Sequence, residues 1–280
     1  MDTPQRYVPL YEAKMLHQFD HRWATYEADG TIRDSTIAEK GDPTYSVMPQ
    51  YWVHEEHVVE SLERRWSETW LFGWREIGRA TDERTMIAPV FPSGAVNNKI
   101  QLMLSPDGLL LSAVLNSFVT DFVIRQSVGG TSLSHFIIKQ TAVVTRAMIE
   151  DATWVADKPV DWVLRRVHEL TSTAADIHVD ARIGTYEFDA ERRALIRSEI
   201  DAALFHLYGV NRDDLSYIMD SFSVVRRKDV ETHGEYRTKR LILEVYDAMQ
   251  AAIDSKTTYQ SILSPPAGEG ARNVAVVVAS

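Results

Sequence analysis

The spacing of apolar residues changes near residue 145. Before it, apolar residues come in short runs separated by turn chemistry; after it, they recur every three to four residues, the spacing of a helix face. The opening stretch is rich in Tyr, Phe and Trp and predicts short strands or ordered loops, with a turn at Asp29-Gly30 and a loop over 39–49. Val58, Leu62, Trp66 and Trp70 predict a helix over 54–72, with Gly73 as its stop. Two strands are expected over 85–91 and 99–104. Ser105-Pro106-Asp107 then has the chemistry of a helix start. The helix that follows carries Leu111, Val114, Leu115, Phe118 and Phe122 and ends near Gly129-Gly130. Residues 136–144 read as extended. Four further helices are expected over 161–175, 189–208, 212–222 and 235–253, with Gly209 as a left-handed cap. From Ser264 the chain is rich in Pro, Gly and Ala and reads as disordered. The expected fold is α+β: a mixed α/β body over 1–145, a helical part over 146–254 and a disordered tail over 255–280, with no internal repeat.

Composition narrows the possibilities. The chain has 280 residues, 45% hydrophobic and 25% charged, enough apolar material for a sizeable core. It has no cysteine, which excludes disulfides, thiolate metal sites and cysteine nucleophiles. The first ten residues lack the apolar core of a secretion signal. No run reaches the ~18 consecutive apolar residues of a membrane span, and residues 109–124 are interrupted by Ser112, Asn116, Ser117, Thr120 and Asp121. A soluble, cytoplasmic protein is expected. The net charge of −10 and pI near 5.4 weigh against a nucleic-acid partner, because DNA affinity comes largely from neutralising phosphates. The acidity is uneven, however: between residues 75 and 140, six basic residues nearly balance five acids.

Several strings carry a resemblance: residues 14–22 (KMLHQFDHR), 79–85 (RATDERT), 128–133 (VGGTSL), 199–209 (EIDAALFHLYG) and 234–240 (GEYRTKR). In this order they resemble the C-terminal half of the large adenine-N6 DNA methyltransferases of type IIG restriction-modification and of BREX- or DISARM-like phage defence. The resemblance implies a β-containing target-recognition body followed by helices that pack against a methyltransferase module. It also implies double-stranded DNA and that module, or a defence-system subunit, as partners. S-adenosylmethionine is expected only in the methyltransferase module, which this sequence does not include, so no cofactor is expected in this chain.

Catalytic strings of that family are not matched. Base extrusion calls for Pro-Pro followed by an aromatic ring, whereas Ser264-Pro265-Pro266 is followed by Ala267. Gly268-Glu269-Gly270 has no strand before it and does not make a cofactor turn. His17 and His21 have the spacing of two metal ligands on a helix, but their segment reads as extended. His54 and His57 have the wrong spacing for a zinc-protease helix, and there is no Gly-x-Ser-x-Gly elbow.

A DNA reader needs cations or amides for phosphates and a few amide or guanidinium groups for base edges. The loop containing Asn97, Asn98 and Lys99 supplies both, or else serves as an ordinary turn. Gly129, Gly130, Thr131 and Ser132 follow Arg125 and would let backbone and hydroxyls approach a phosphate, or simply end a helix. Arg79 and Arg84 flank acids, and pairing with these is the alternative to DNA contact; Lys139, Gln140, Lys14 and Arg22 complete the candidate contacts. Arg192, Arg193 and Arg197, interleaved with Glu187, Glu191 and Glu199, read as a solvated helix face laced with ion pairs. Asp201 beside Ala202 and Ala203 reads as close helix packing. The most basic cluster is Arg226-Arg227-Lys228 with Arg237, Lys239 and Arg240, open either to DNA or to solvent. The expectation is therefore a sequence-specific DNA-binding module without catalysis of its own. The alternatives are a protein-interaction module that docks a methyltransferase or defence subunit without touching DNA, and a hydrolase or nuclease with an unrecognised site.

Overall fold

In the first part of the chain, aromatic and β-branched residues form short strands: β1 (Tyr7–Tyr11), β2 (Ala24–Tyr26), β3 (Ile32–Asp34), β4 (Trp52–His54), β5 (Trp70–Arg75), β6 (Val90–Pro92), β7 (Ala95–Val96) and β8 (Ile100–Leu102). Helices α1 (Ile37–Gly41) and α2 (Glu55–Leu62) lie between them. Helices follow: α3 (Gly108–Asn116), α4 (Phe118–Ser127), α5 (His135–Gln140), α6 (Arg146–Glu150), α7 (Pro159–Thr171), α8 (Ala190–Leu207), α9 (Arg212–Asp220), α10 (Ser223–His233) and α11 (Arg237–Ser255). This computed structural model describes residues 5–155, 158–177, 179–180 and 184–272. Among them are three small sheets, ordered β4-β1-β7, β2-β3 and β6-β5-β8. Every pairing is antiparallel except β1 with β7. The fold is α+β with a helical C-terminal part.

Strand β5 organises the sheet body. Its side chains alternate, so Trp70, Phe72 and Trp74 enter one core with Leu115, Ile124 and Leu133, while Leu71 enters another with Tyr11, Leu16, Phe91 and Ile100. Gly73 is required because a Cβ there would stand 2.3 Å from the Gln101 carbonyl oxygen across the β5–β8 pair. Both faces of β5 are buried, so the polar alternation that marks a half-exposed strand is missing. That is why the helix expected over 54–72 is wrong beyond Leu62: α2 ends there, and Arg64 takes a left-handed turn at φ 58°.

Three other expectations are corrected. Residues 85–88 do not pair as a strand: the Thr85 and Met86 N–H groups donate to the Asp121 carboxylate, and the Asn116 side chain exchanges two bonds of 2.8 Å with Ala88. The helix after Asp107 is broken at Ser117 into α3 and α4, bent by 71°. Ser117 Oγ caps Thr120, and Asp201 Oδ1 accepts from the Phe118 N–H at 2.7 Å. Residues 136–140, the first part of the stretch 136–144 expected to be extended, lie in α5. The expected helices of the second part are all present, and Gly209 follows α8 at φ 67°. Helix α10 was not anticipated.

The boundary expected near residue 145 does not separate two cores. The largest cluster joins Phe19, Val114 and Phe118 to Val167, Ile200, Phe205, Ile242 and Met249. No single helix among the described residues is long and apolar enough to cross a membrane; the apolar α3–α4 pair is bent and largely buried. The tail expected to be disordered is ordered as far as Arg272; residues 273–280 lie outside the described residues. Glu199, fully buried on α8, holds that segment. One carboxylate oxygen accepts from the Tyr259 hydroxyl (2.8 Å), Ser261 Oγ (2.6 Å) and the Ile262 N–H (3.1 Å), while the other meets Arg166 at 2.6 Å.

Replacing Glu199 by alanine leaves Arg166 buried and unpaired, so a loss of about 3–5 kcal/mol is expected in urea unfolding, with faster hydrogen exchange over 259–263. A loss below ~1 kcal/mol, within the range of an exposed pair, would show that Glu199 does not hold the segment.

Candidate functional site

Three of the arginines and lysines expected to touch DNA are spent inside the protein. Arg22 is wholly buried; its terminal nitrogens donate to the carbonyls of Lys40 (2.7 Å), Asp42 (2.8 Å), Tyr45 (3.2 Å) and Thr173 (3.0 Å). Arg84 is buried against Asp121 at 2.7 Å and lies 3.9 Å over the Phe118 ring. Arg125 meets the same carboxylate at 3.1 Å and donates to the carbonyls of Asp82 and Glu83, both at 2.8 Å. None of the three has a free fork to offer a phosphate. Residues 15–22 and 84–85 of two of the strings therefore work as internal seams, while Lys14 and residues 79–82 stay exposed.

The other candidates remain outside, and two loops come together. Asn97 has the turn role: its side chain accepts from the Lys99 N–H at 3.0 Å. Lys99 reaches Glu76 at 3.4 Å. Ser132 Oγ donates to the other Glu76 oxygen at 3.3 Å, and the Gly78 N–H donates to the Thr131 carbonyl at 3.1 Å. Loops 97–99 and 129–132 thus flank one residue, Glu76, at the end of β5. Around them Asn98, Arg79, Gly129, Gly130, Thr131 and Ser132 are exposed; Lys139 and Gln140 are exposed at the end of α5. Gln101 extends the group, donating to the Asn98 carbonyl at 3.0 Å and lying 2.8 Å from His135 Nε2. Lys14 is exposed elsewhere, 4.8 Å over the Tyr26 ring.

The basic cluster of the second part is mostly neutralised: Lys228 pairs with Glu83, Arg237 with Glu191, Lys239 with Asp220, and Arg240 with both Glu235 and Glu244. The solvated face expected on α8 is corrected too. Arg192 pairs with the mostly buried Glu169, and Arg193 is buried, donating to the carbonyls of Leu170 (2.6 Å) and Phe19 (2.9 Å). Arg197 does neither.

Arg197 stands in a cavity of about 370 Å³ that periodicity did not reveal. Ala190, Ala194, Arg197 and Asp201 form one stripe of α8, and the two alanines leave the room. The opposite wall comes from α10 and α11, through Val225, Asp229, Thr232 and Leu241; the floor is Gln18, Arg84, Asn116 and Phe118. The signal lay in that stripe, where small residues and two charges occupy a face that faces other helices.

Burial and then Arg75 depress the His17 pKa to about 3, so this ring, stacked 4.3 Å from Trp23, is neutral. His21 Nε2 lies 2.9 Å from Asp176 rather than beside His17, and among the described residues no metal-binding cluster forms. Asp201 is pushed up to about 6 by burial, against the opposing pull of Arg84, the Phe118 N–H and Arg197. No protein family, curated protein or solved structure matches this chain.

Because its folded pKa exceeds the ordinary aspartate value, the Asp201 carboxyl favours the folded state most below pH ~4, and that contribution is lost as pH rises to about 6. Asp201→Asn retains an acceptor for the Phe118 N–H. It is expected to be more stable than the parent above pH 6 by up to about 3 kcal/mol, the gap closing toward pH 4. Thermal unfolding across that range checks this; a variant less stable at pH 8 would show that the ionised carboxylate is needed.

Proposed function

We propose that this chain is the DNA target-recognition part of an adenine-N6 methyltransferase of the restriction or phage-defence kind, a reader whose methyl transfer belongs to a separate module. The observation that carries this reading is the convergence of loops 97–99 and 129–132 on Glu76. The Asn98 amide and the Thr131 and Ser132 hydroxyls are exposed groups of the kind that reach base edges and phosphates. Arg79 and Lys139 add cations, and Lys99 can exchange Glu76 for a phosphate. The ordered strings resembling that family support the same assignment.

A docking role has its own observation. Tyr7, Met48, Tyr51 and Trp52, each 47–56% exposed, gather around β1 and β4. Exposed apolar groups of this size mark protein contacts. Such a surface suits the methyltransferase module and is compatible with DNA reading elsewhere.

The test is selection of random-sequence duplexes by the purified chain, at low and near-physiological salt, followed by sequencing. One short enriched motif is expected. Asn98→Ala with Ser132→Ala is expected to cost about 1–3 kcal/mol and relax the motif locally. Arg79→Ala and Lys139→Ala are expected to weaken all sequences alike and reduce the salt slope by about one each. No enrichment, with retained binding to a methyltransferase module, would replace DNA reading by docking.

A further inference from the structure

The α8 cavity is lined by a cation that forms no ion pair. Among the described residues Arg197 makes no hydrogen bond and no ion pair, although its neighbours Arg192 and Arg193 on the same helix are both engaged. Its side chain is exposed, but the space it faces is this cavity. Surrounding protein, and next the repulsion of Arg84, hold its pKa below the ordinary arginine value. Its donors are therefore open to an acceptor that enters the cavity.

The charge at the inner end has a definite balance. The guanidiniums of Arg84, Arg125 and Arg197 face two carboxylates, Asp121 and Asp201, and Asp121 is already shared by the first two arginines. Nearer the mouth, Glu83 and Glu191 are neutralised by Lys228 and Arg237. Asp229 also lines the cavity and brings the nearby charges to balance, so what sets Arg197 apart is that no carboxylate among the described residues pairs with it. A polyanion would gain no second cation and would meet Asp201 and Asp229. The remaining lining includes Phe19, Ala113, Val225 and Leu241, which suit an organic body better than a bare ion. The volume lies at the lower end of small-molecule sites, roughly 300–1,000 Å³.

We propose that this cavity binds a small organic monoanion, its carboxylate or phosphate monoester held by the Arg197 fork. Planar guanidinium geometry matches either group in a bidentate manner. The assignment does not depend on DNA reading, and none of the loop residues at Glu76 lines this cavity.

Two probes separate the sources: inorganic phosphate for a phosphate ester and butyrate for a carboxylate. Titration calorimetry on the intact chain is expected to show saturable binding of at least one, and that probe identifies the group. Arg197→Gln keeps most of the side-chain length and removes the charge; it is expected to weaken the bound probe at least about tenfold. Should that variant fail to fold, phenylglyoxal labelling of the parent protein replaces it. Arg197, mapped by mass spectrometry, is expected to react when the cavity is free and to be protected by the probe. The proposal is overturned if neither probe binds saturably. It is equally overturned if Arg197→Gln binds as the parent does, or if labelling of Arg197 is unchanged at saturating probe.

Discussion

The structure depends on a short charged segment buried where the sheet body meets the helices. From His17 to Arg22 the chain turns inward, with Phe19 in the left-handed region at φ 56°. Its polar groups find partners on both sides. Gln18 donates to the carbonyls of Met86 and Asn116, and Asp20 takes Lys40 at 2.7 Å. Arg22 gathers carbonyls from residues 40–45 and from Thr173, while Arg193 reaches in from α8 to the Phe19 carbonyl. Burial alone would raise the Asp20 pKa, yet Lys40 and Arg193 hold it below the usual carboxylate value. Removing such charges from water costs several kcal/mol per ion unless partners are placed well. Apart from Arg22 Nε, which is buried without a partner, this set is satisfied in one arrangement of the two parts. Division at residue 145 would strand Arg22 and Arg193 as well as opening the shared apolar core.

This seam also explains which features were legible in the sequence. Helices α7, α9 and α11 pack one face, α8 is buried all round over 198–205, and α8 and α9 begin at recognisable caps, Asp189 and Asn211, so spacing and end signals find them. Strand β5 is buried on both faces, and α10 is mostly charged and exposed, so neither displays the expected alternation. Residues 85–88 are extended, but Asp121 and Asn116 act as their partners in place of a strand, which no local pattern encodes. The same limit applies to the site. Residue type identified Arg22, Arg84 and Arg125 as able to bind phosphate, but not that carbonyls and Asp121 already occupy them. Loops 97–99 and 129–132 were recognisable because turn residues combine there with amides and hydroxyls; their meeting at Glu76 is a consequence of β5 pairing with β8.

The ion pairing bears on how DNA could be held. With Lys228, Arg237, Lys239 and Arg240 paired to acids, Arg226 and Arg227 are what the basic cluster leaves unpaired among the described residues. Few cations remain near Glu76, and the chain carries −10 overall. Phosphate neutralisation of that size gives weak non-specific affinity. Discrimination would then rest on the Asn98 amide and the hydroxyls, with much of the binding energy coming from a partner module.

Loop 79–85 runs between the two proposed sites, since Arg79 is exposed next to loop 129–132 while Glu83 and Arg84 line the α8 cavity. Contiguity by itself transmits nothing; coupling requires an element with two arrangements that both sites bias. This loop is held in one. Arg125 fixes the carbonyls of Asp82 and Glu83, Asp82 accepts from the Arg79 N–H at 3.0 Å, and the Thr85 hydroxyl donates to the Arg79 carbonyl at 2.8 Å. A monoanion at Arg197 can displace none of these bonds without breaking the Arg84–Asp121–Arg125 network, whose loss would expose buried charge. The geometry therefore favours two independent sites on one rigid frame over an effector that tunes DNA reading.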